Sequence, residues 1–216
     1  MTAIDTDTVL ATAVHEVKNM MGELSLNLDE YHRRHPDPEV ARMHALSRIL
    51  QDRLVQILIL QNQGGDQLRI NTEAIHPEGL LEEVAADARL MLPAGMAFEL
   101  DSGVSDVPFW FIDRYLVSQV LMNALHNAFK FANSRVVLGC REEADGLLFT
   151  IQDDGAGYPD QPGFRPEALP HELKGGESRK GTGLGLRFNE RIAAAHGGRI
   201  SCSNDAGACF ALWLPK

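Results

Sequence analysis

The sequence predicts an α+β chain in two parts: an antiparallel helical hairpin over residues 1–64, then over 65–216 an α/β two-layer sandwich of strands and helices. Three observations carry that division. Up to residue 60 the apolar side chains recur at helical spacing; Gly64 and Gly65 stop the pattern; beyond them short apolar runs alternate with amphipathic ones between Gly, Pro and Asp turns.

In the first part Leu10, Val14, Val17, Met21, Leu24, Leu28 and Tyr31 alternate steps of four and three, the heptad spacing of a helix packed along a seam, which predicts one helix over residues 6–32. Pro36 and Pro38 break the period, and Val40, Met43, Leu46, Leu50, Leu54 and Ile57 resume it. Each helix, of about 25 residues, would be roughly 38 Å long. Two such helices cannot cover both seams together with Leu26, Ile49, Leu58 and Leu60. A partner surface is implied, and a homodimeric four-helix bundle is the economical arrangement.

In the second part strands are predicted over 68–75, 97–100, 109–112, 135–141, 147–152, 199–203 and 208–214, completing a sheet, with helices over 77–92, 113–131 and 184–196. The segment 158–180, with Pro159, Pro162, Pro166, Pro170, Gly163, Gly175 and Gly176, has little periodicity and is too long for a plain connection, so it reads as a lid.

The formal charge is -10 and no run of Lys and Arg occurs, which argues against a nucleic-acid or anionic-membrane surface. Any phosphate bound here must be held locally. The longest purely apolar stretches, such as 57–60, fall far short of the roughly 18 residues that cross a bilayer, and residues 1–8 lack the features of a signal peptide. No membrane insertion and a cytoplasmic location are expected. Cys140, Cys202 and Cys209 are odd in number and lack metal-ligand spacing, as incidental thiols of a reducing compartment do.

Chemistry concentrates in four short stretches. Asn123 and Asn127 are four apart on the helix predicted from 113, with Lys130 a turn further on, so that two amides and an ammonium share one ridge opposite Val120, Leu121, Ala124, Ala128 and Phe131. Amide oxygens suit a hard cation that shares nucleotide phosphates, and a Lys supplies a point charge; alone, the trio is weak evidence, since polar residues at helical spacing are usually a solvated face. Asp153-Asp154-Gly155-Ala-Gly157 follows an apolar strand, where an acidic residue can accept the exocyclic amine of adenine while glycines let the backbone approach the base; an Asp-Gly turn is the plainer reading. Gly181-Thr182-Gly183-Leu184-Gly185 opens a helix with unobstructed N–H groups that suit an anion. It is neither a Rossmann fingerprint nor a P-loop.

The fourth stretch is His15-Glu16-Val-Lys-Asn19. Val14 and Val17 belong to the seam, so His15 points outward; a neutral imidazole is a competent nucleophile near pH 7, and the adjacent carboxylate can orient it and accept its proton. His32, His35, His44, His76, His171 and His196 read as solvated surface residues.

Taken in order, these stretches resemble the sensor histidine kinases of two-component systems. Residues 111–131 are similar to that family's N-box helix, Asp153, Gly155 and Gly157 to its G1 box, Gly181, Gly183 and Gly185 to its G2 box, and residues 15–19 to its H-box. The resemblance implies a dimerisation and phosphotransfer hairpin joined to a Bergerat-type ATP-binding domain. It further implies ATP and Mg²⁺ as cofactors, with Asn127 as metal ligand, Asn123 and Lys130 supporting the phosphates, and Asp153 reading adenine. Gly181, Thr182, Gly183, Leu184 and Gly185 would cradle the phosphate chain, with Arg179 and Lys180 near the γ-phosphate. His15 would be the phosphoacceptor, Glu16 its base, and Asn19 would orient water when a partner regulator is dephosphorylated. Hydrolytic and serine-kinase branches of the superfamily carry Glu where this chain has Asn123, so transfer to a more nucleophilic acceptor is implied. The expected partners are a second copy, a response regulator receiver domain and a separate sensory protein. Met20 stands where many H-boxes have proline, and the lid holds Phe164 and Pro166 without a clear F-box. A phosphotransfer adaptor that binds no ATP, and a dedicated phosphatase of the regulator, are the rival readings.

Overall fold

The computed structural model describes residues 20–61 apart from 21, 25, 29, 32 and 36, then 68, 70–104, 107, 109–158 and 184–216. The chain divides into two compact units, Met1–Asp66 and Gln67–Lys216.

In the first unit the described residues between 20 and 34 are helical, and helix α1 (Pro38–Gln61) follows. Pro38 suits a first helical position because its missing N–H needs no partner there, and Asp37 Oδ1 accepts from the Glu39 N–H at 2.7 Å. Of the seam predicted from the heptad, Met43 and Leu50 are exposed in the single chain, while Ser47, Val55 and Gln56 are buried. Residues 6–19 of the first predicted helix lie outside the described residues. Among the described residues no helix is long and apolar enough to cross a membrane.

The second unit opens with β1 (Glu73–Ile75), α2 (Pro77–Leu90), β2 (Ala97–Gly103), β3 (Trp110–Ile112) and α3 (Arg114–Phe131). It continues through β4 (Arg135–Glu143), β5 (Gly146–Asp153), α4 (Leu184–Ala195), β6 (Arg199–Asn204) and β7 (Ala208–Pro215). The main sheet has the order β2-β4-β5-β7-β6, parallel between β2 and β4 and antiparallel elsewhere. Alternation sets its two faces. Val136, Leu138, Cys140, Leu147, Phe149, Ile151, Phe210, Leu212 and Leu214 are buried on one face, where α2, α3 and α4 pack. The other face carries the exposed ion pairs Glu99–Arg135 and Arg141–Glu143 and the stacking of Arg199 on Trp213.

One expectation changes. The strands near 73 and 111 do not join the main sheet; β1 and β3 pair antiparallel as a separate ribbon. The strand predicted from 68 begins only at Glu73, because the Asn71 N–H is taken at 2.9 Å by Asp113 Oδ2 instead of a ladder. Likewise α2 stops at Leu90 rather than 92: the Met91 N–H turns back to Ala88 O, and Pro93 restricts the residue before it.

Candidate nucleotide site

Helix α3 is the spine of the site. Asp113 caps it, Oδ1 accepting from the Leu116 N–H at 3.0 Å while Oδ2 holds Asn71. Leu116, Val117, Val120, Leu121, Ala124, Leu125, Ala128 and Phe129 are its buried stripe. Its first turn is also tied to the end of α4: the Asp113 N–H donates to His196 Nε2 at 3.0 Å, and His196 Nδ1 lies 2.8 Å from the Ile192 carbonyl. With Nε2 accepting, the ring proton sits on Nδ1 and is donated to that carbonyl. His196 is therefore a half-buried staple rather than the solvated residue its isolation in the sequence implied.

The ridge predicted from Asn123, Asn127 and Lys130 is split. Asn123 is buried and its Nδ2 donates to Asn189 Oδ1 at 3.1 Å, also buried. Gly185 lies against the same amide; a β-carbon there would come within 2.5 Å of Asn123 Nδ2 and 2.6 Å of Oδ1. Asn127 and Lys130 are exposed, and Lys130 Nζ sits 5.2 Å from the Phe131 ring centroid. Phe131, expected in the core, is 40% exposed at the end of the helix. Its carbonyl oxygen packs so closely on Gly155 that no β-carbon fits. Helix α3 thus runs from Asn123 against Gly185 to Phe131 against Gly155, and Asn127 and Lys130 stand exposed between these contacts.

Asp153 ends β5 with its carboxylate almost wholly buried. Oδ1 accepts from the Gly155 N–H at 2.8 Å and from the Ala208 N–H at 3.3 Å. Gly155 and Gly157 are needed by these internal contacts. Gly157 adopts φ 78°, and a β-carbon on it would meet Asn204 Oδ1 at 2.7 Å. The next carboxylate faces the other way along the chain. Asp154 accepts from the N–H groups of Asn133, Ser134 and Arg135 at 2.9–3.1 Å and from Ser134 Oγ at 2.6 Å. Hydrogen bonds from Ser134, then from the Arg135 and Asn133 main chain, hold its pKa well below the usual carboxylate range. Asp154 thereby ties the α3–β4 turn to the end of β5.

No thiol near this site is activated. Burial pushes the Cys140 thiol up to about 12 and raises Cys202 and Cys209 as well, and all three are unbridged. Burial is also the main reason the Tyr158 phenol lies far above its ordinary value, beside Cys202. Asp154, Asn189, His196 and Asn204 were missed in the sequence because each acts through a distant partner; only the Asn204-Asp-Ala-Gly207 turn signature hinted at one of them. Leu184 and Gly185 open α4. His15, Glu16, Asn19, Arg179, Lys180, Gly181, Thr182 and Gly183, and the lid expected at 158–180 beyond Tyr158, lie outside the described residues.

Residues 112–216 match the family described as histidine kinase-, DNA gyrase B-, and HSP90-like ATPase. Those residues make up most of the second unit. Sensor protein KdpD of Escherichia coli (strain K12) is 32% identical over 143 residues, which are 63% of this chain and 16% of that protein. Sensor histidine kinase CpxA of the same strain is 25% identical over 214 residues, 96% of this chain and 46% of the relative. The fold matches full-length ShkA, solved in complex with AMPPNP, with TM-score 0.65 and 23% identity, covering 97% of this chain and 46% of that one. The chain is similar to sensor histidine kinases along nearly its whole length, and spans between about a sixth and about half the length of these relatives.

Proposed function

We propose that this chain is an ATP-dependent protein histidine kinase of a two-component system, which autophosphorylates His15 and passes the phosphoryl group to an Asp of a response regulator. The observation that carries this reading is Asp153, a buried carboxylate whose Oδ1 is fixed by two backbone N–H groups. With Oδ1 holding both N–H groups, Oδ2 can serve as the acceptor for an exocyclic amine such as that of adenine. Position 123 supports the choice of acceptor. There an amide, turned toward Asn189, stands where a base for water or a hydroxyl would otherwise sit, and an imidazole needs less activation than either.

The exposed amide of Asn127 fits a magnesium ion that keeps most of its ligands as phosphate oxygens and water. Among the described residues no three of His, Cys, Asp and Glu cluster as a metal site of their own. When bound, the ion supplies charge neutralisation on the phosphates. Lys130 adds a positive charge on the same stretch of helix, and the backbone of 181–185 cradles the phosphate chain. In the transfer, one imidazole nitrogen of His15 bonds to the γ-phosphorus as the bond to the β,γ-bridging oxygen breaks. The electron pair leaves with ADP, and the proton on the other ring nitrogen passes to Glu16. A carboxylate oxygen of the regulator then attacks phosphorus, the P–N bond breaks, and the imidazole recovers a proton.

Residues 1–64 serve as the dimerisation and phosphotransfer hairpin and 65–216 as the catalytic domain, with 158–180 as its lid. Exposure of Met20, Leu24, Leu26, Met43 and Leu50 on helical segments supports a two-chain bundle. The protein works in the cytoplasm. Incubation with γ-labelled ATP and Mg²⁺ tests the reading: an acid-labile, base-stable label that disappears in His15→Gln is expected. Nucleotide binding without label would instead favour a phosphatase of the regulator, in which Asn19 orients water, and no binding would favour a phosphotransfer adaptor.

A further inference from the structure

Asn204 closes β6 and directs its carboxamide at the main chain of Tyr158. Oδ1 accepts from the Tyr158 N–H at 2.8 Å, and Nδ2 donates to the Tyr158 carbonyl at 3.0 Å. One side chain satisfies both main-chain groups of a single residue, as a neighbouring strand would. Gly157, at φ 78°, lies beneath this ring of hydrogen bonds, and the Asn204 amide fills the space that a β-carbon at 157 would need.

The turn that continues from Asn204 is bound to the same end of β5. The Asp205 carbonyl accepts from Gln152 Nε2 at 2.9 Å, and the Ala208 N–H donates to Asp153 Oδ1 at 3.3 Å. Gly207, at φ 146°, passes the Asp153 carbonyl too closely for any β-carbon. Asp153 is therefore held from two sides: by the Gly155 N–H of the loop that follows β5, and by the Ala208 N–H of the β6–β7 turn. The Asn204–Tyr158 pair ties that loop to that turn.

We propose that Asn204 is a positioning residue for the nucleobase, which clamps the Gly157–Tyr158 peptide to the β6–β7 turn and so keeps Asp153 aimed at the exocyclic amine of adenine. The inference rests on the ATP reading above. Because the phosphates are assigned to α3 and to the start of α4, the clamp governs which base is accepted and leaves the grip on phosphate alone. Without the clamp, loop and turn can part, and the carboxylate follows the Gly155 N–H away from the base.

The test is calorimetric titration of the full chain and of Asn204→Ala with ATP, GTP and inorganic triphosphate, each with Mg²⁺. The variant should bind ATP about tenfold more weakly, the scale of one or two net hydrogen bonds. Its preference for ATP over GTP should shrink by the same factor, and its triphosphate affinity should stay as in the parent. Asn204→Asp, which keeps the acceptor for the Tyr158 N–H and loses the donor, should fall between the two and keeps the measurement available if the Ala variant does not fold. Equal weakening toward all three probes would mean a merely structural role and overturn the inference. So would ATP binding unchanged in both variants, with the ATP reading left standing. A parent protein that binds no ATP would sink that reading, and the inference with it.

Discussion

Asn123 and Asn189 face each other across the contact between α3 and α4, the Nδ2 of the first donating to the Oδ1 of the second at 3.1 Å with both side chains buried. Their neighbours Val120, Leu121, Phe188 and Ile192 are apolar and fully buried, and an apolar pair could occupy this place with no hydrogen bond to satisfy. What the amide pair adds is direction. It sets one orientation for the Asn123 side chain, against which Gly185 then packs.

Replacing Asn189 by Val removes the acceptor from a buried N–H, a loss of about 1–3 kcal/mol. Urea unfolding followed by circular dichroism should show a lower midpoint at unchanged slope. Nucleotide affinity should fall with it, because the Asn123 amide loses its fixed orientation beside Gly185. A variant that unfolds like the parent would show that the pair contributes nothing to the fold.

Asp154 links stability to pH. Its pKa is lowered in the folded chain by the hydrogen bonds from Ser134, Arg135 and Asn133, so the folded state favours the charged carboxylate. The corresponding stability is complete above the ordinary unfolded carboxylate value of about 4 and is lost progressively as the pH falls below it. Asp154→Asn should remove that part of the acid dependence. Comparing unfolding midpoints of parent and variant from pH 7 down to about pH 3 checks this: the gap between them should be constant near neutrality and narrow in acid. A gap that widened in acid would mean that the folded state favours the protonated carboxyl instead.

Much of the second unit was legible because its signals are local. The Asp113 cap and the stripe from Leu116 to Phe129 mark α3 whatever lies around it, and β4 and β5 are joined by a short turn that leaves Glu143 opposite Gly146. Partner choice is not local. Nothing in the period of residues 109–112 says that they pair with 73–75 rather than with the main sheet. The glycines at 155 and 157 were visible, but their reason was not: Phe131 O and Asn204 Oδ1 crowd them, so they answer to the protein's own packing. His196, Asn189 and Asn204 stayed hidden for the same cause, since a lone polar residue gives no sign of a partner dozens of positions away.

His196 offers a test that separates fold from site. Its Nε2 takes the Asp113 N–H and its Nδ1 reaches the Ile192 carbonyl, so His196→Leu leaves two main-chain groups without this partner at similar side-chain volume. A loss of about 1–2 kcal/mol is expected in thermal or urea unfolding. Nucleotide affinity should hold, because neither Asn123 nor Asp153 hydrogen-bonds to the imidazole. Loss of nucleotide binding in a folded variant would tie the start of α3 to the site more tightly than these contacts do.

Asp153→Asn is the sharpest probe of the base pocket. The carboxamide oxygen of Asn can still accept from the Gly155 and Ala208 N–H groups, which in the parent both go to Oδ1, so the loop should keep its shape. If Asp153 reads adenine, however, the second carboxylate oxygen becomes an NH₂ group set against the amine of the base, donor to donor. ATP affinity should therefore fall by about ten- to a hundredfold, the cost of one to two lost or opposed hydrogen bonds in a water-poor site. Unfolding midpoints should stay close to the parent's near neutral pH. Fluorescence titration with an ATP analogue labelled on the ribose measures the first, and chemical unfolding the second. If the variant bound ATP as the parent does, Asp153 would be a structural tie for Gly155 and Ala208, and the base would have to be read elsewhere.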